Sequence, residues 1–219
     1  MDGRVQHPNG KYRDVVANIS EQNSRALRDF VVERRPELVI EIGMAYGVST
    51  LSILDGLRRN GEGRLISIDP YDGWPTGRVI ALHQVERAGV AELHEHLHEC
   101  SYTALPRLLR AGARPDFVYI DGNHNFDYVF TDFFYTDKLL SVGGLVGFND
   151  AGWRSVFKVI RFLRKYRRYR ELDVGLPKSY RGRNPLFSLI KRVEGRSSRD
   201  RYFEKVEAWE PECGFHRAF

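Results

Sequence analysis

The chain has 219 residues, 42% of them hydrophobic and 29% charged, with a net charge of +5. That length and apolar content suit one α/β domain with decorations, read as a single domain over 1–219. Cys100 and Cys213 give no disulfide framework and no metal spacing, no window approaches the ~18 apolar residues of a membrane span, and the polar start lacks a signal peptide's apolar stretch, so a soluble, cytoplasmic protein is expected.

The charge is unevenly spread. Arg154 to Lys205 holds 17 Lys and Arg against 5 Asp and Glu, leaving 17 against 24 elsewhere. A basic third of this kind suits an anionic acceptor, a membrane surface or nucleic acid, and equally a solvated helix face.

In chain order, the start through Ile19 is read as a lid. A helix follows over "ISEQNSRALRDFVVERRP", with Ser20 as N-cap, Leu27, Phe30 and Val31 on one face, and Pro36 as the stop. "ELVIEIG" is a buried strand, "GVSTLSILDGLRRNGEG" a helix closed by Gly61, and "RLISIDP" a strand ending on Asp69. Val79, Leu82 and Val85 predict a helix over "GRVIALHQVERAG"; "VAELHEHLHEC" alternates as a third strand and "YTALPRLLRAG" is a short helix. "PDFVYID" is the fourth strand, "NFDYVFTDFFYTDKLLSVGG" a helix stopped by Gly143-Gly144, and "LVGFND" the fifth strand. "WRSVFKVIRFLRKYRRYRELDV" reads as one basic amphipathic helix striped by Val156, Val159, Ile160 and Leu163. The stretch "GLPKSYRGRNPLFSLIKRVEGRSSRDRYF" gives no clear element; its Arg and Tyr side chains suit a substrate loop clamping a phosphate or carboxylate.

Alternating strands and helices with near-continuous apolar strands mean a parallel sheet covered on both faces, whose ligands bind beyond the strands' carboxyl ends. The residues that close the strands therefore matter most. They are Glu41 to Gly47, Asp69 to Asp72, Cys100-Ser101, Asp121 to His124, and Asn149-Asp150. Gly43 and Gly47 permit a tight turn, and Asp69 is placed to accept from a ribose diol. His94, His96 and His98 share a strand face, but an edge or helix-facing layer explains them better than zinc.

"EIGMAYGVST" resembles motif I of the class I S-adenosylmethionine methyltransferases. "IDGNHNF", then "LLSVGG" and a strand ending in Asp, resembles the small-molecule O-methyltransferases that carry an IDG-x-H-x-aromatic turn, distantly similar to the catechol type; the resemblance covers Ile40 to Trp153. It implies a Rossmann-like α/β fold with a doubly wound, mostly parallel seven-stranded sheet. It implies S-adenosylmethionine as cofactor, held by Glu41, Gly43, Ala45, Tyr46, Gly47, Ser49, Asp69, Pro70, Tyr71, Ser101 and Asp121. It places a Mg²⁺ site at Asp121, Asn149 and Asp150, though here the amide precedes the acid. His124 stands where the catechol type has its proton-accepting lysine, and imidazole can do that work. The acceptor implied is a small molecule, a sugar or natural-product scaffold; whether the chain forms a homo-oligomer stays open. The rival readings are an RNA methyltransferase using the basic segment, a binding protein that keeps the fold without the chemistry, and a same-fold hydroxylation enzyme.

Overall fold

A computed structural model describes residues 4–14, 19–177 and 199–216. Strands β1 (Arg4–Gln6) and β2 (Tyr12–Asp14) form a hairpin ahead of α1 (Glu21–Arg34). Then come β3 (Leu38–Ile42), α2 (Val48–Asn60), β4 (Arg64–Ile68), α3 (Pro75–Arg87), β5 (His94–Leu97), α4 (Ser101–Arg110), β6 (Phe117–Ile120), α5 (Phe126–Leu139), β7 (Leu145–Phe148), α6 (Arg154–Tyr166), β8 (Arg168–Leu172) and β9 (Arg201–Glu207). Seven strands form one sheet in the order β5-β4-β3-β6-β7-β9-β8. β3, β4, β5, β6 and β7 pair in parallel, and β9 runs antiparallel between β7 and β8. This is the doubly wound α/β fold expected. The order reverses between β3 and β6, where a crevice opens at the strands' carboxyl ends.

The two-residue period of a strand divides the core into two layers. Ile40, Ile42, Val118, Ile120, Val146 and Phe148 pack with α4, α5 and α6. Val39, Leu65, Phe117, Tyr119 and Tyr202 pack with α1 and α2 on the other face. Glu41 belongs by alternation to that second face. Gly147 also points there, where an added Cβ would lie 2.9 Å from the Tyr119 ring and 3.0 Å from the Tyr202 ring. Those two rings stack with centroids 6.4 Å apart, so the missing side chain makes room for them.

Ser20 caps α1 by accepting from the Asn23 N–H at 3.2 Å, and Leu27, Phe30 and Val31 are buried as expected. Three expectations are corrected. The basic helix is shorter: α6 ends at Tyr166, Arg167 is extended, and the sequence then alternates as β8. The buried face of α3 runs through Ile80, Ala81 and Val85, leaving Val79 exposed. The third strand is only four residues, preceded by a 3-10 turn over Ala91–Leu93. β9 forms from the end of the stretch in which no element was read. The expected substrate loop lies largely outside the described residues, over 178–198, as do the pieces of the expected lid at 1–3 and 15–18. The rest of that segment includes the hairpin, whose Gln6 accepts from Gln84 and Arg87 of α3. Among the described residues no helix is long and apolar enough to cross a membrane.

Candidate functional site

A cavity of about 700 Å³ lies at the switch point. The turn after β3 contributes Gly43, Met44, Ala45, Val48 and Ser49; the turn after β4, Asp69 to Asp72 and Trp74; the start of α4, Cys100 to Tyr102. From the opposite half come Asp121 to His124 and Tyr128 beyond β6, and Asn149, Asp150 and Trp153 beyond β7. Thus Gly43, Ala45, Ser49, Asp69, Pro70, Tyr71, Ser101, Asp121, His124, Asn149 and Asp150 are brought together. Glu41, Tyr46 and Gly47 stand behind the wall. Glu41 faces the core and accepts from Thr50 and Ser67 hydroxyls at 2.7 and 2.6 Å. Burial raises its carboxyl to about 7. Tyr46 is buried with its ring 4.6 Å from that of Trp74, and Gly47 sits over Ala81 at the start of α2.

The turn after β3 is tightly built. Gly43 has φ 89°, and a Cβ there would meet the Asp121 carbonyl oxygen at 2.2 Å. Only glycine lets the two turns approach so closely. Asp69 accepts from the Met44 and Ala45 N–H groups at 2.9 and 3.1 Å and from the Tyr71 N–H at 2.9 Å. The Tyr71 hydroxyl donates to the Ala45 carbonyl at 2.6 Å. Among the described residues, four non-glycine positions have left-handed backbone, Arg35, Ala45, Tyr71 and Asp150, and the last three line the cavity. Such strain persists where the surroundings impose it, and it concentrates at functional sites.

On the other side His124 Nε2 lies 3.5 Å from Asp150 Oδ2 and 3.9 Å from Asp121 Oδ1. The Trp153 ring flanks the imidazole at 5.3 Å. Burial lowers the His124 pKa, with Asp150 opposing. Burial raises Asp150, with His124 opposing. Asp121 is held well above the usual carboxylate range, first by burial and then by Asp200, Asp150 and Glu41. Asp200 starts the run into β9 and was not singled out in the sequence. It is 2% exposed and accepts from the Tyr119 hydroxyl at 2.6 Å and from Asn149 Nδ2 at 3.2 Å. Asp132 of α5 is also buried, which raises it to about 7 despite a hydrogen bond from Ser101.

The donor chemistry of Asp121, Asn149 and Asp150 suits a hard divalent cation. The Asp121 and Asp150 carboxylates both approach His124 Nε2, and the cavity wall formed by the described residues carries Asp69, Asp72, Asp121 and Asp150 with no Lys or Arg. Among the described residues no three His, Cys, Asp or Glu side chains are grouped so as to hold a metal ion; here the third donor would be an amide. His94 and His96 make separate contacts: His94 with the Ser67 hydroxyl and His96 with the Asp69 carbonyl, each at 3.0 Å. Burial depresses both, His94 to about 4, which leaves neutral rings on the edge strand. Among the described residues of the basic third, Arg167 and Lys205 pair with Asp137, Arg164 and Arg201 with Glu171, and Arg170 with Glu204.

A family model described as a methyltransferase domain matches residues 40–151, just over half of the chain. No curated protein sequence matches. Among solved structures, the O-methyltransferase from Bacillus cereus in complex with SAH superposes with TM-score 0.68 at 16% identity, covering 87% of this chain and 84% of that one. The O-methyltransferase TomG from Streptomyces achromogenes, involved in tomaymycin synthesis and in complex with SAM, gives 0.66 at 20% identity, covering 89% and 83%. The SAH-bound methyltransferase PaMTH1 from Podospora anserina gives 0.62 at 15% identity, covering 87% and 80%. At these identities the structural likeness establishes the fold.

Proposed function

The chain belongs to the methyltransferase-domain family, and on that premise we propose that it is an S-adenosylmethionine-dependent O-methyltransferase acting on a small molecule. The observation that carries this reading is the cavity at the switch point. A glycine turn braced by Asp69 forms one wall, and an imidazole flanked by two carboxylates faces it. S-adenosylmethionine, when bound, supplies a sulfonium methyl group. The acidic wall suits that positive charge. The turn at Gly43 to Ala45, with Ser49, Pro70, Tyr71 and Ser101, forms the cofactor half. His124 takes the acceptor's proton at Nε2, the neutral ring favoured by its burial. Asp150 stabilises the imidazolium that forms. Positioning of hydroxyl against methyl supplies much of the rate. Asp121, Asn149 and Asp150 would hold a divalent cation, which lowers a bound hydroxyl's pKa and orients its oxygen.

The acceptor is a sugar or natural-product scaffold without net negative charge. The acidic described wall supports that charge preference. The role of TomG in tomaymycin synthesis agrees with a natural-product acceptor. Calorimetric titration of S-adenosylhomocysteine into the purified protein, in EDTA and then in Mg²⁺, tests the reading. Micromolar binding is expected, and absence of heat in both buffers rejects it. With an acceptor found by screening, His124→Ala should lower turnover about 10²- to 10⁴-fold. Its affinity for S-adenosylhomocysteine should stay within about threefold, and equal turnover would assign the base elsewhere.

A further inference from the structure

Asn149 lines the cavity, yet its side chain is held from behind. Its Nδ2 donates to Asp200 Oδ1 and to the Tyr119 hydroxyl oxygen, both at 3.2 Å. Tyr119 donates its own proton to Asp200 Oδ2 at 2.6 Å, and Asn23 of α1 donates to Asp200 Oδ1. The cycle is closed: the carboxyl accepts from three side-chain donors, and both hydrogens of the Asn149 amide are used. Asn149, Asp200, Tyr119 and Asn23 are all buried. An amide has one donor end and one acceptor end. With both hydrogens held inward, oxygen is the only side-chain polar atom Asn149 can offer the cavity. Asp200 favours that orientation, because its Oδ2 takes the Tyr119 hydrogen and its Oδ1 those of Asn23 and Asn149, so it meets the Asn149 amide as an acceptor.

We propose that Asp200 is a positioning residue: through Asn149 it fixes an amide oxygen beside Asp121 and Asp150, and so completes an all-oxygen divalent-cation site. The inference rests on the function proposed above. It brings into the site a residue from the start of β9, outside residues 40–151 that the family model covers. Asp200 connects α1 to the carboxyl ends of β6 and β7, and Arg199 beside it donates to Ser20 at 2.8 Å.

Mn²⁺ serves as the probe, titrated into the full chain saturated with S-adenosylhomocysteine and read by the paramagnetic resonance of free ion. Wild type should bind one Mn²⁺. Asp200→Asn should weaken it about 10- to 100-fold, the usual consequence of removing a ligand's orienting partner. Tyr119→Phe, which changes no charge and keeps the ring in the core, should weaken it several-fold. The exchanged pair Asn149→Asp with Asp200→Asn should recover most of the affinity, since the amide introduced at position 200 then donates to a carboxylate that faces the ion. Affinity for S-adenosylhomocysteine should stay within about threefold in every variant, which also certifies folding. Mn²⁺ bound equally by wild type, Asp200→Asn and Tyr119→Phe would make Asp200 a structural residue only and overturn the proposal. S-adenosylhomocysteine binding without any Mn²⁺ binding would overturn it too, leaving the methyltransferase reading standing. Absence of S-adenosylhomocysteine binding by wild type removes that reading itself.

Discussion

Asp69 lines the cavity but aims its carboxylate at the chain itself, holding three backbone N–H groups of two turns. Its first role is therefore to shape the wall, and a ribose diol would use what acceptor capacity remains. Asp69→Ala leaves those donors unmatched, at roughly 1–3 kcal/mol for each that water does not reach. We expect about 2 kcal/mol lower stability in denaturant titration and S-adenosylhomocysteine affinity at least tenfold weaker. Unchanged affinity would show that the turn keeps its shape alone. Gly43→Ala should be worse, since it adds left-handed strain to a clash with the Asp121 carbonyl that no side-chain rotation relieves. A loss of about 3 kcal/mol or more is expected, and a stable variant that binds S-adenosylhomocysteine normally contradicts the close approach. At this scale the sequence was readable where parallel strands end, because the topology gathers those ends on one edge. Glu41 misled because the two-residue period turns it into the core two residues before the turn begins at Gly43. Asp200 was hidden because nothing local marks an acid that meets Tyr119 and Asn149 from so far along the chain.

At the scale of elements, helices with caps and strands with apolar runs were legible, and those built on long-range pairing were not. β8 and β9 lie where charged residues dominate, so their pattern reads as a polar helix or nothing. Their burial comes from tertiary contacts. Lys205 shows how β9 is fixed there: it is 7% exposed, lies 3.2 Å from Asp137 Oδ1 and donates to the carbonyls of Asp137 and Leu140. It thereby satisfies the carboxyl end of α5, where a cation also complements the helix dipole. Asp137 is shared with Arg167 and the Tyr169 hydroxyl, at 2.6 and 2.8 Å. Lys205→Met keeps much of the apolar stem but strands two carbonyls and removes one of the two cations on a buried carboxylate. A loss of about 3 kcal/mol is expected from chemical denaturation. A change below about 0.5 kcal/mol would mean the strand is held by its ladder and aromatic packing alone.

At the scale of the whole molecule, buried carboxyls and partly buried histidines among the described residues set an expected response to pH. Glu41, Asp132 and Asp200 are each raised to about 7, with burial the largest cause for all three. A carboxyl whose folded pKa exceeds its unfolded one holds its proton more tightly when folded. Its contribution is fully present below the unfolded value near 4, declines as pH rises through the window to about 7, and then levels off. His94 and His96 work oppositely. Their folded pKa values lie below 6.5, so stability is lost as pH falls from 6.5 toward about 4, where His94 protonates in the fold. The trends oppose each other between pH 4 and 7, so the wild-type profile alone isolates neither, whereas a variant's difference does. Glu41→Gln keeps an oxygen for Thr50 and Ser67 and removes the ionisation. Relative to wild type, its Tm should rise between pH 5 and pH 8, because only wild type acquires a buried charge over that interval. A difference that stays flat, or that moves toward wild type, would mean Glu41 is ionised throughout and held by its hydroxyl donors. The carboxylate behind the glycine turn would then add to the negative field of the cavity instead of remaining neutral beneath it.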